Sequence, residues 1–599
     1  MNVHISPNPL MPPEAPVEMP TQSLSARPIA ADTRRDDVGT WIARGFVFSF
    51  ALAIPAALGW VLHDWFRAEG IIWAEAGIIG FALFAAFWIA LSVATAVLGC
   101  LPRKTAHALH GAPLDIAVVQ PIYGEPIGPV LARARALLLD LARHPTGHRY
   151  CYYVLSDTRD PGQVETERRA VALMMAGFPG GVIHYRNRAQ NHRFKVGNIE
   201  DWVTRWGGHH DAMLVLDADS VMTAKSVTSL ADTMAAEPRL GLVQSIPRLI
   251  GARSIFARAQ AFANTAYGTT LARGLSRWAG NTANYWGHNA LIRLTAFAAA
   301  AGLPDLPGRR PFGGVVLSHD FVEAALLRRA GWQIRFLTDA TESYETTPET
   351  VIGHILRDRR WCQGNLQHLR ILFARGFHPL SRMHMLQGAV AYLASTGWFA
   401  LMVLWVLVGS GQGDGAIQYF SAANPMFPAW PQMELVSRIL IVSLTYGMLL
   451  APKLLGAIAF CIQMPRLSQF GGWGRFWGSF LLELVVSIML APMMMVQHMV
   501  AVFRTLCGFD TGWTRAATSH KPLLYLRFHA LELVLGVAMT TLFILGALTW
   551  WLLPIAVLLT IAPALSWAVS AAPAWAMHLL TTPHDQSAAP ERADTLAQA

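Results

Sequence analysis

Long apolar runs constrain the fold of this chain more than any other feature of its sequence. Seven such runs lie at about 43–63, 71–99, 385–409, 437–463, 479–503, 529–551 and 553–573. A helix of about 20 apolar residues is long enough to cross a hydrocarbon layer of about 30 Å. Because Pro452 and Lys453 interrupt the fourth run, we expect an α-helical transmembrane bundle of six to eight spans.

The charged residues are concentrated between the second and third apolar runs, from about residue 100 to residue 380. The chain of 599 residues is 53% apolar and 14% charged, which is too apolar for a soluble protein of this size. Its net charge of +9 comes partly from basic residues beside the spans, a pattern typical of cytoplasmic loops. We therefore predict a cytoplasmic domain between transmembrane regions at 41–100 and 381–577, with the lipid bilayer as a partner and no nucleic acid.

Both ends of the chain have a composition that is typical of disorder. Residues 1–40 are polar and rich in proline, and residues 578–599 are similarly polar. Segments of this kind bury too little apolar surface to offset the entropy of ordering. We predict disordered tails over both ranges.

The region 101–350 alternates short apolar strands with helices. The predicted strands are Asp115–Gln120, Cys151–Ser156, Val182–Tyr185, Met213–Asp217 and Leu240–Ser245. The predicted helices between them are Ile127–Leu141, Gln163–Met175 and Gly197–Arg205. This alternation indicates an α/β domain with a mostly parallel sheet, whose ligands bind beyond the carboxyl ends of the strands. Residues 351–380 follow as amphipathic helices, which we expect on the membrane surface.

Carboxylates follow two of the predicted strands. Asp157 ends the second strand, and Asp217 and Asp219 end the fourth. Two carboxylates one residue apart at the end of a buried strand can bind Mg²⁺ together with substrate phosphates, although a solvated turn has the same pattern. The five cysteines have no CxxC spacing, so the sequence does not indicate a zinc site.

Two later motifs carry further polar groups. Asp320 precedes the predicted helix Phe321–Ala330 and is either a helix cap or a functional carboxylate. Arg360 and Trp361 lie in a basic helix, where the arginine binds either lipid phosphates or a substrate. The pattern alone leaves both pairs of alternatives open.

The order of these motifs resembles the processive family 2 glycosyltransferases, and most closely the glucans biosynthesis glucosyltransferase H family, which makes osmoregulated periplasmic glucans. The segments that carry the resemblance are YVLSD (153–157), KVGNIEDW (195–202), VLDADSVM (215–222), YWGHNALIR (285–293), LSHDFVEAALLRRAGW (317–332) and RDRRWCQGN (357–365). The resemblance implies a Rossmann-like GT-A domain, embedded in the transmembrane bundle. One departure is Arg357, which stands where the broader family has the glutamine of a Gln-x-x-Arg-Trp motif.

The resemblance also implies roles for residues at matching positions. It implies that Asp320 is the catalytic base. It implies a donor site made by Asp157, Lys195, Asp217 and Arg360. It implies an acceptor site made by Trp361, Trp286 and His319. It also implies that Asp217 and Asp219 hold Mg²⁺ (or Mn²⁺). Trp513, Thr514 and Arg515 resemble a gating loop near 508–522.

The implied reaction is inverting and processive transfer of glucose from UDP-glucose. The donor is an α-glycoside, so a single displacement gives a β-linkage and needs one base. The family implies a β-1,2 backbone, export across the bacterial inner membrane, and acyl carrier protein and a periplasmic glucan-modifying protein as partners. Three alternatives remain at this stage: another membrane β-glycan synthase (cellulose- or hyaluronan-like), a lipid-linked sugar transferase, and a transporter or scaffold that only senses nucleotide.

Overall fold

The computed structural model describes ten stretches of the chain, and all structural statements below refer to them. They are residues 10–26, 36–67, 71–102, 111–178, 182–409, 446–463, 467–509, 520–546, 548 and 552–583. The strands are β1 Asp115–Ile122, β2 Arg149–Ser156, β3 Ile183–Asn187, β4 Ala212–Val215, β5 Val221–Met222, β6 Leu240–Ser245, β7 Arg248–Ile250, β8 Ala290–Arg293, β9 Gln333–Leu337 and β10 Ser343–Thr346.

The helices fall into a central group and two flanking groups. The first two are α1 Val38–Phe66 and α2 Trp73–Cys100. The central group is α3 Ile127–Arg143, α4 Pro161–Ala176, α5 Phe194–Trp206, α6 Ala224–Ala236, α7 Ile255–Ala263, α8 Thr269–Ala279, α9 Leu294–Ala300, α10 His319–Arg329 and α11 Val351–Ile371. The last group is α12 Pro379–Gly409, α13 Met448–Gln463, α14 Trp473–Leu506, α15 Pro522–Phe528, α16 Ala530–Ile544, α17 Leu553–Thr560, α18 Ala562–Val569 and α19 Ala574–His578.

A seven-stranded mixed sheet forms the centre of the α/β domain. Its strand order is β3-β2-β1-β4-β8-β6-β9. Strand β8 is antiparallel to both β4 and β6, while the other pairs in this sheet are parallel. A second sheet, in the order β5-β10-β7, lies at the margin of the domain. The sheet is therefore mixed, with four of its six strand pairs parallel, and the prediction named five of its strands and missed β8 and β9.

Both faces of the sheet are covered by helices, because side chains alternate between the faces along each strand. On β1, Ile116 and Val118 pack into a core with α3 and α6. Their neighbours Ala117 and Val119 pack on the opposite face, against Trp202 of α5. This packing leaves the carboxyl ends of β1, β2 and β4 at a common edge, as expected for neighbouring parallel strands.

The prediction of disorder over residues 1–40 is wrong for residues 10–26. This segment, here called the strap, lies along the α/β domain and donates backbone hydrogen bonds from Ala15, Val17 and Gln22. Met11 is 6% exposed and packs in the same core as Trp206, whose indole nitrogen donates to the Pro12 carbonyl at 3.1 Å. The sequence analysis missed this segment, because its apolar residues are spaced among prolines and a short extended segment has no helical periodicity.

Four helices among the described residues are long and apolar enough to cross a membrane, and a bent pair brings the number to five if it forms one span. The four are α1, α2, α12 and α14; the pair is α15 and α16, which meet at an angle of 68°. The predicted run at 553–573 forms two short helices, α17 and α18, with Ile561 between them. The predicted total of six to eight spans is not confirmed. Part of the predicted fourth span lies outside the described residues.

The predicted amphipathic segment at 351–380 contains α11 and the first residues of α12. Ile355, Cys362 and Leu366 of α11 are each at most 1% exposed. Helix α11 packs against α12 and α14, so it joins the α/β domain to two of the candidate spans. Its location at a membrane surface stays a prediction.

Candidate active site

Asp157 lies at the carboxyl edge of the sheet, directly after β2. Its backbone N–H donates to the carbonyl of Ile122 at the end of β1, at 2.9 Å. Its carboxylate is 4% exposed and receives two hydrogen bonds of 2.7 Å from the guanidinium of Arg188. A bidentate pair of this kind holds a buried carboxylate in one orientation. Arg188, which follows β3, was not singled out by the sequence analysis, although its position at a strand end is the signal that could have found it.

A buried carboxylate on α4 holds the loop that carries Asp157. Glu167 is fully buried and accepts hydrogen bonds from Ser156 Oγ at 2.6 Å, Thr158 Oγ1 at 2.7 Å and Tyr185 OH at 2.9 Å. Ser156 and Thr158 flank Asp157 in the chain. Three hydroxyl donors on one carboxylate satisfy a group that is costly to bury otherwise. Glu167 was also missed, because a glutamate inside an amphipathic helix gives no local signal of burial.

Lys195 and Asp217 form an ion pair at the same edge. The Lys195 Nζ contacts Asp217 Oδ1 and donates to the carbonyl oxygen of Gly287 at 2.9 Å. Burial acts to raise the pKa of Asp217, but the charges of Lys195 and His288 outweigh it and lower that pKa. Asp217 is therefore a carboxylate at neutral pH.

Asp219 faces the second sheet. Its Oδ2 accepts hydrogen bonds from Thr346 Oγ1 at 2.6 Å and from the Thr346 backbone N–H at 3.3 Å. No group of three or more His, Cys, Asp or Glu side chains within the described residues is placed to hold a metal ion. Two aspartates without further protein ligands fit Mg²⁺ or Mn²⁺, which complete their octahedral shell with water and substrate phosphate oxygens. They do not fit a closed structural zinc site.

Asp320 faces the same pocket across Gly287. A β-carbon built on Gly287 would lie 3.4 Å from Asp320 Oδ2, and the φ of Gly287 is +90°, which a side chain rarely adopts. Because Gly287 has no side chain, the carboxylate of Asp320 fits beside the residue whose carbonyl oxygen Lys195 contacts. Burial raises the pKa of Asp320, and the adjacent charge of His319 acts in the opposite direction. Ser318, not Asp320, occupies the cap position of α10, so the capping alternative for Asp320 is not what the structure shows.

Two histidines form ion pairs around this pocket. His319 is 8% exposed, and its Nδ1 lies 2.9 Å from Glu323 Oε1. His288 Nε2 lies 3.1 Å from Glu345 Oε2. Burial acts to lower the pKa of His288, but Asp217 and Glu345 raise it to about 9. His288 and Glu345 were not among the predicted site residues, although His288 lies inside the YWGHN motif.

The two predicted acceptor tryptophans differ in their surroundings. Trp361 is 48% exposed, and the guanidinium carbon of Arg357 lies 4.6 Å from its ring centroid. Trp286 is half-buried, and its ring centroid lies 4.7 Å from that of Phe336. Trp361 is thus the more exposed of the two rings, although Arg357 lies over it, and Phe336 covers part of the Trp286 ring.

Arg357 and Arg360 lie on α11. Burial lowers the pKa of Arg357, and the charges of Glu345 and Asp219 oppose that effect. Burial and then the charge of Arg357 lower the pKa of Arg360. Arg357, which stands where the broader family has glutamine, lies over the ring of Trp361.

Contacts therefore connect four of the predicted site residues, Asp157, Lys195, Asp217 and Asp320. These contacts run through Arg188, Phe194 and Gly287. The Phe194 carbonyl accepts from Arg188 Nη2 at 3.1 Å immediately before Lys195 in the chain. Trp513, Thr514 and Arg515 lie outside the described residues.

Comparison with protein families identifies a matching family model. Residues 212–571 match the model described as glycosyl transferase family group 2. This range begins at β4 and includes Asp217, Asp219, Asp320 and Trp361. It also extends over α12 and α14, so the match covers helices of the apolar region as well as the α/β domain.

Curated relatives named glucans biosynthesis glucosyltransferase H are similar over most of this chain. The protein from Rhodopseudomonas palustris is 40% identical over 516 residues, which are 84% of this chain and 70% of that protein. The protein from Vibrio cholerae serotype O1 is 38% identical over 84% of this chain and 71% of its own length. The protein from a Shewanella species is 37% identical over 91% of this chain and 77% of its own length.

Among solved structures, a mannosyltransferase from Pyrobaculum calidifontis in complex with GDP-Man and Mn²⁺ is similar with a TM-score of 0.42. The two are 14% identical, and the match covers 64% of this chain and 98% of that one.

Proposed function

Because this chain belongs to the glucans biosynthesis glucosyltransferase H family of the family 2 glycosyltransferases, we propose that it is an inverting, processive glucosyltransferase that uses UDP-glucose. The product that we propose is the β-1,2-linked backbone of a periplasmic glucan. Membership of the family makes the chain a glycosyltransferase. The identity of the donor, the linkage and the processivity are part of the proposal.

One observation carries the proposal. Lys195 contacts Asp217 and the carbonyl of Gly287, and the carboxylate of Asp320 lies beside Gly287. A cation, an aspartate that could bind a metal and an aspartate whose pKa is raised by burial therefore lie around Gly287. Inverting transfer requires these three groups: two for the leaving diphosphate and one for the acceptor proton.

On the donor side, we assign Asp157 to the uracil end of UDP-glucose. Its position is held by Arg188 and, through the loop, by Glu167. Lys195 is assigned to the diphosphate, where its charge stabilises the negative charge that develops as the C1–O bond to UDP breaks. Arg360 supplies a second cation from α11. Asp217 and Asp219 would hold a divalent metal, which would act as a Lewis acid on the diphosphate oxygens when bound.

On the acceptor side, Asp320 takes the proton of the attacking hydroxyl. The hydroxyl oxygen forms a bond to C1 of the donor glucose from the face opposite UDP, so the α-glycoside becomes a β-linkage. We assign Trp361 and Trp286 to stacking on the terminal sugars, with His319 beside the base. The exposure of the Trp361 ring supports its part of this assignment.

We further propose that elongation is coupled to export across the bacterial inner membrane, with the catalytic domain in the cytoplasm. Packing of α11 on the candidate spans α12 and α14 supports this coupling. The family resemblance supports acyl carrier protein and a periplasmic glucan-modifying protein as partners. Trp513, Thr514 and Arg515 are proposed as part of a gating loop on the same ground.

The test is turnover in membranes that contain the full chain, with labelled UDP-glucose and Mg²⁺, followed by sizing and linkage analysis of the product. We expect a polymer with β-1,2 linkages, and no polymer from matched membranes carrying Asp320→Asn. UDP-N-acetylglucosamine and UDP-glucuronate serve as competing donors.

Each other result points to a specific alternative. A β-1,4 polymer, or preference for another donor, would place the chain with the cellulose- or hyaluronan-like synthases. A short product that partitions into organic solvent would indicate a lipid-linked sugar transferase. Binding of UDP without turnover would favour a nucleotide-sensing transporter or scaffold.

A further inference from the structure

Within a single turn, helix α11 carries both proposed substrate-binding residues and residues that contact the helices of the apolar region. Successive residues of an α-helix are about 100° apart around its axis. Arg357, Arg360 and Trp361 therefore fall within about 100° of one another. Asp358 follows about 60° beyond Trp361 and Arg359 about 160° beyond it, and both contact helices of the apolar region.

Asp358 is the centre of a hydrogen-bonded cluster that joins three helices. Its Oδ2 lies 2.7 Å from Nε2 of His498 on α14, and its Oδ1 accepts from the hydroxyl of Tyr392 on α12 at 2.8 Å. The Nδ1 of His498 in turn lies 3.0 Å from Oγ of Ser395 on α12. The side chain of Asp358 is 15% exposed, so this cluster is largely shielded from solvent.

Arg359 makes a second attachment beside the first. Its Nη2 donates to Oε1 of Gln497 on α14 at 2.6 Å. Gln497 then contacts Glu532 of α16, which is fully buried and pairs with His529 at 3.0 Å. The guanidinium carbon of Arg359 also lies 5.1 Å from the ring centroid of Phe528. Two consecutive residues thus tie α11 to α12, α14 and α16.

The C-terminal half of α11 holds the segment that leads into Asp320. Nε2 of His368 lies 2.8 Å from the carbonyl oxygen of Ser318, and Oε1 of Gln367 accepts from the Leu317 N–H at 3.0 Å. A β-carbon on Gly364 would lie 2.2 Å from Ser318 Oγ, so the two segments are in direct contact there. Any rotation or shift of α11 would therefore be passed on to the loop before Asp320.

We infer that Asp358 is a positioning residue, which with His498 sets the rotation of α11 and through it the placement of Trp361 and of the Asp320 segment. The inference rests on the proposed function, because it assigns Trp361 and Asp320 to the acceptor side. The donor groups Asp157, Lys195 and Asp217 lie on other elements, and of the proposed donor groups only Arg360 lies on α11. Loss of the Asp358–His498 contact therefore affects acceptor transfer more than donor binding.

The experiment measures kcat, the KM for UDP-glucose and the product length for full-length Asp358→Asn and His498→Gln in membranes. We expect kcat to fall by roughly 10- to 100-fold, the size of effect that misplacement by about 1 Å produces. The KM for UDP-glucose should change less than about twofold, and the product should be shorter. In the double variant, the loss in kcat should be smaller than the product of the two single losses, because both remove the same contact.

The matched control is Glu483→Gln, which breaks another buried ion pair of α14. Glu483 accepts from Lys453 of α13 at 2.9 Å and from Tyr267 at 2.8 Å, away from the residues of α11 named here. It should lower thermal stability without the selective loss in kcat. Full kcat in Asp358→Asn, or an equal change in the KM for UDP-glucose, would overturn the inference. An inactive wild-type chain would instead refute the proposed function.

Discussion

Lys195 and Asp217 form an ion pair at the edge of the sheet where the sugar nucleotide is proposed to bind. The ammonium group occupies one carboxylate oxygen of Asp217 and also donates to the Gly287 carbonyl. A divalent metal bound to Asp217 would repel the Lys195 ammonium group, unless a diphosphate is present to pair with that ammonium group. A divalent metal would therefore bind to Asp217 more readily once a nucleotide diphosphate has taken up the charge of Lys195.

The first prediction follows for Lys195→Met. Removal of the competing cation should tighten binding of Mn²⁺ alone, because the charge that opposes the metal is gone. The same change should weaken binding of UDP with Mn²⁺ by about 1.5–3 kcal/mol, the usual contribution of a charged hydrogen bond. Calorimetric titration of the purified protein measures both affinities. Changes of both affinities in the same direction would contradict this role of Lys195.

The second prediction concerns Asp320→Asn. Asparagine keeps the shape of the side chain and cannot accept the acceptor proton, so turnover should fall by roughly two to four orders of magnitude. The affinity for UDP should remain close to that of the wild type, because Asp157 and Lys195 are unchanged. Turnover of labelled UDP-glucose and equilibrium binding of UDP give the two numbers. Residual activity above a tenth of the wild type would exclude Asp320 as the base.

The third prediction is a pH dependence. Asp320 acts as a base only when ionised, and burial raises its pKa, so the rate should fall on acidification at a pH above the ordinary aspartate range near 3.9. The charge of His319 lowers the pKa of Asp320, so His319→Asn should move this acid limb to higher pH. Profiles of kcat against pH for the wild type and for His319→Asn measure the position of the acid limb.

The control for this shift is His144→Asn, at an exposed histidine that pairs with Asp140 on the surface. It should leave the acid limb where it is in the wild type. An acid limb of His319→Asn at lower pH than the wild type would mean that another group sets it.

The fourth prediction tests the loop that carries Asp157. Glu167→Leu leaves the hydroxyls of Ser156, Thr158 and Tyr185 without their common acceptor, so stability should fall by about 2–4 kcal/mol. Affinity for UDP should fall with it. Glu165→Leu is the matched control on the same helix, because Glu165 makes an exposed pair with Arg169 and should change stability by about 0.5 kcal/mol or less. Thermal unfolding in detergent and UDP binding compare the two variants.

The fifth prediction tests the strap. Met11→Asp places a charge in the core beside Trp202 and Trp206, which should lower stability by at least about 2 kcal/mol. Glu18→Ala, at an exposed position of the same segment, should have little effect. Equal unfolding midpoints for the two variants would mean that the strap does not contribute to the stability of the α/β domain.

Several elements of the α/β domain were predictable from periodicity. The predicted strand Leu240–Ser245 has the observed bounds, and the helix predicted at Ile127–Leu141 ends at Arg143. Strand β4 ends at Val215, two residues before Asp217, because the chain must turn to present its carboxylates at the edge. Strand β8 was not predicted, because a four-residue antiparallel strand is defined by its neighbours rather than by its own pattern.

Motif order and resemblance also predicted most of the residues that surround the pocket. Their partners were not predictable in the same way. Arg188, Glu167 and His498 contact residues 31, 11 and 140 positions away in the chain. Such pairs depend on how distant segments approach, and a single sequence does not encode that distance locally.

The alternation of strands and helices, the apolar runs and the chemical groups at the strand ends are all predictable from the amino-acid sequence. Those properties depend on local composition and spacing, which the chain carries wherever it is placed. The tertiary structure was needed to show that Gly287 lies beside both Lys195 and Asp320, that the strap is packed, and that Asp358 contacts His498. The reason is that burial, ion pairing and helix rotation are set by contacts between segments that are far apart in the chain.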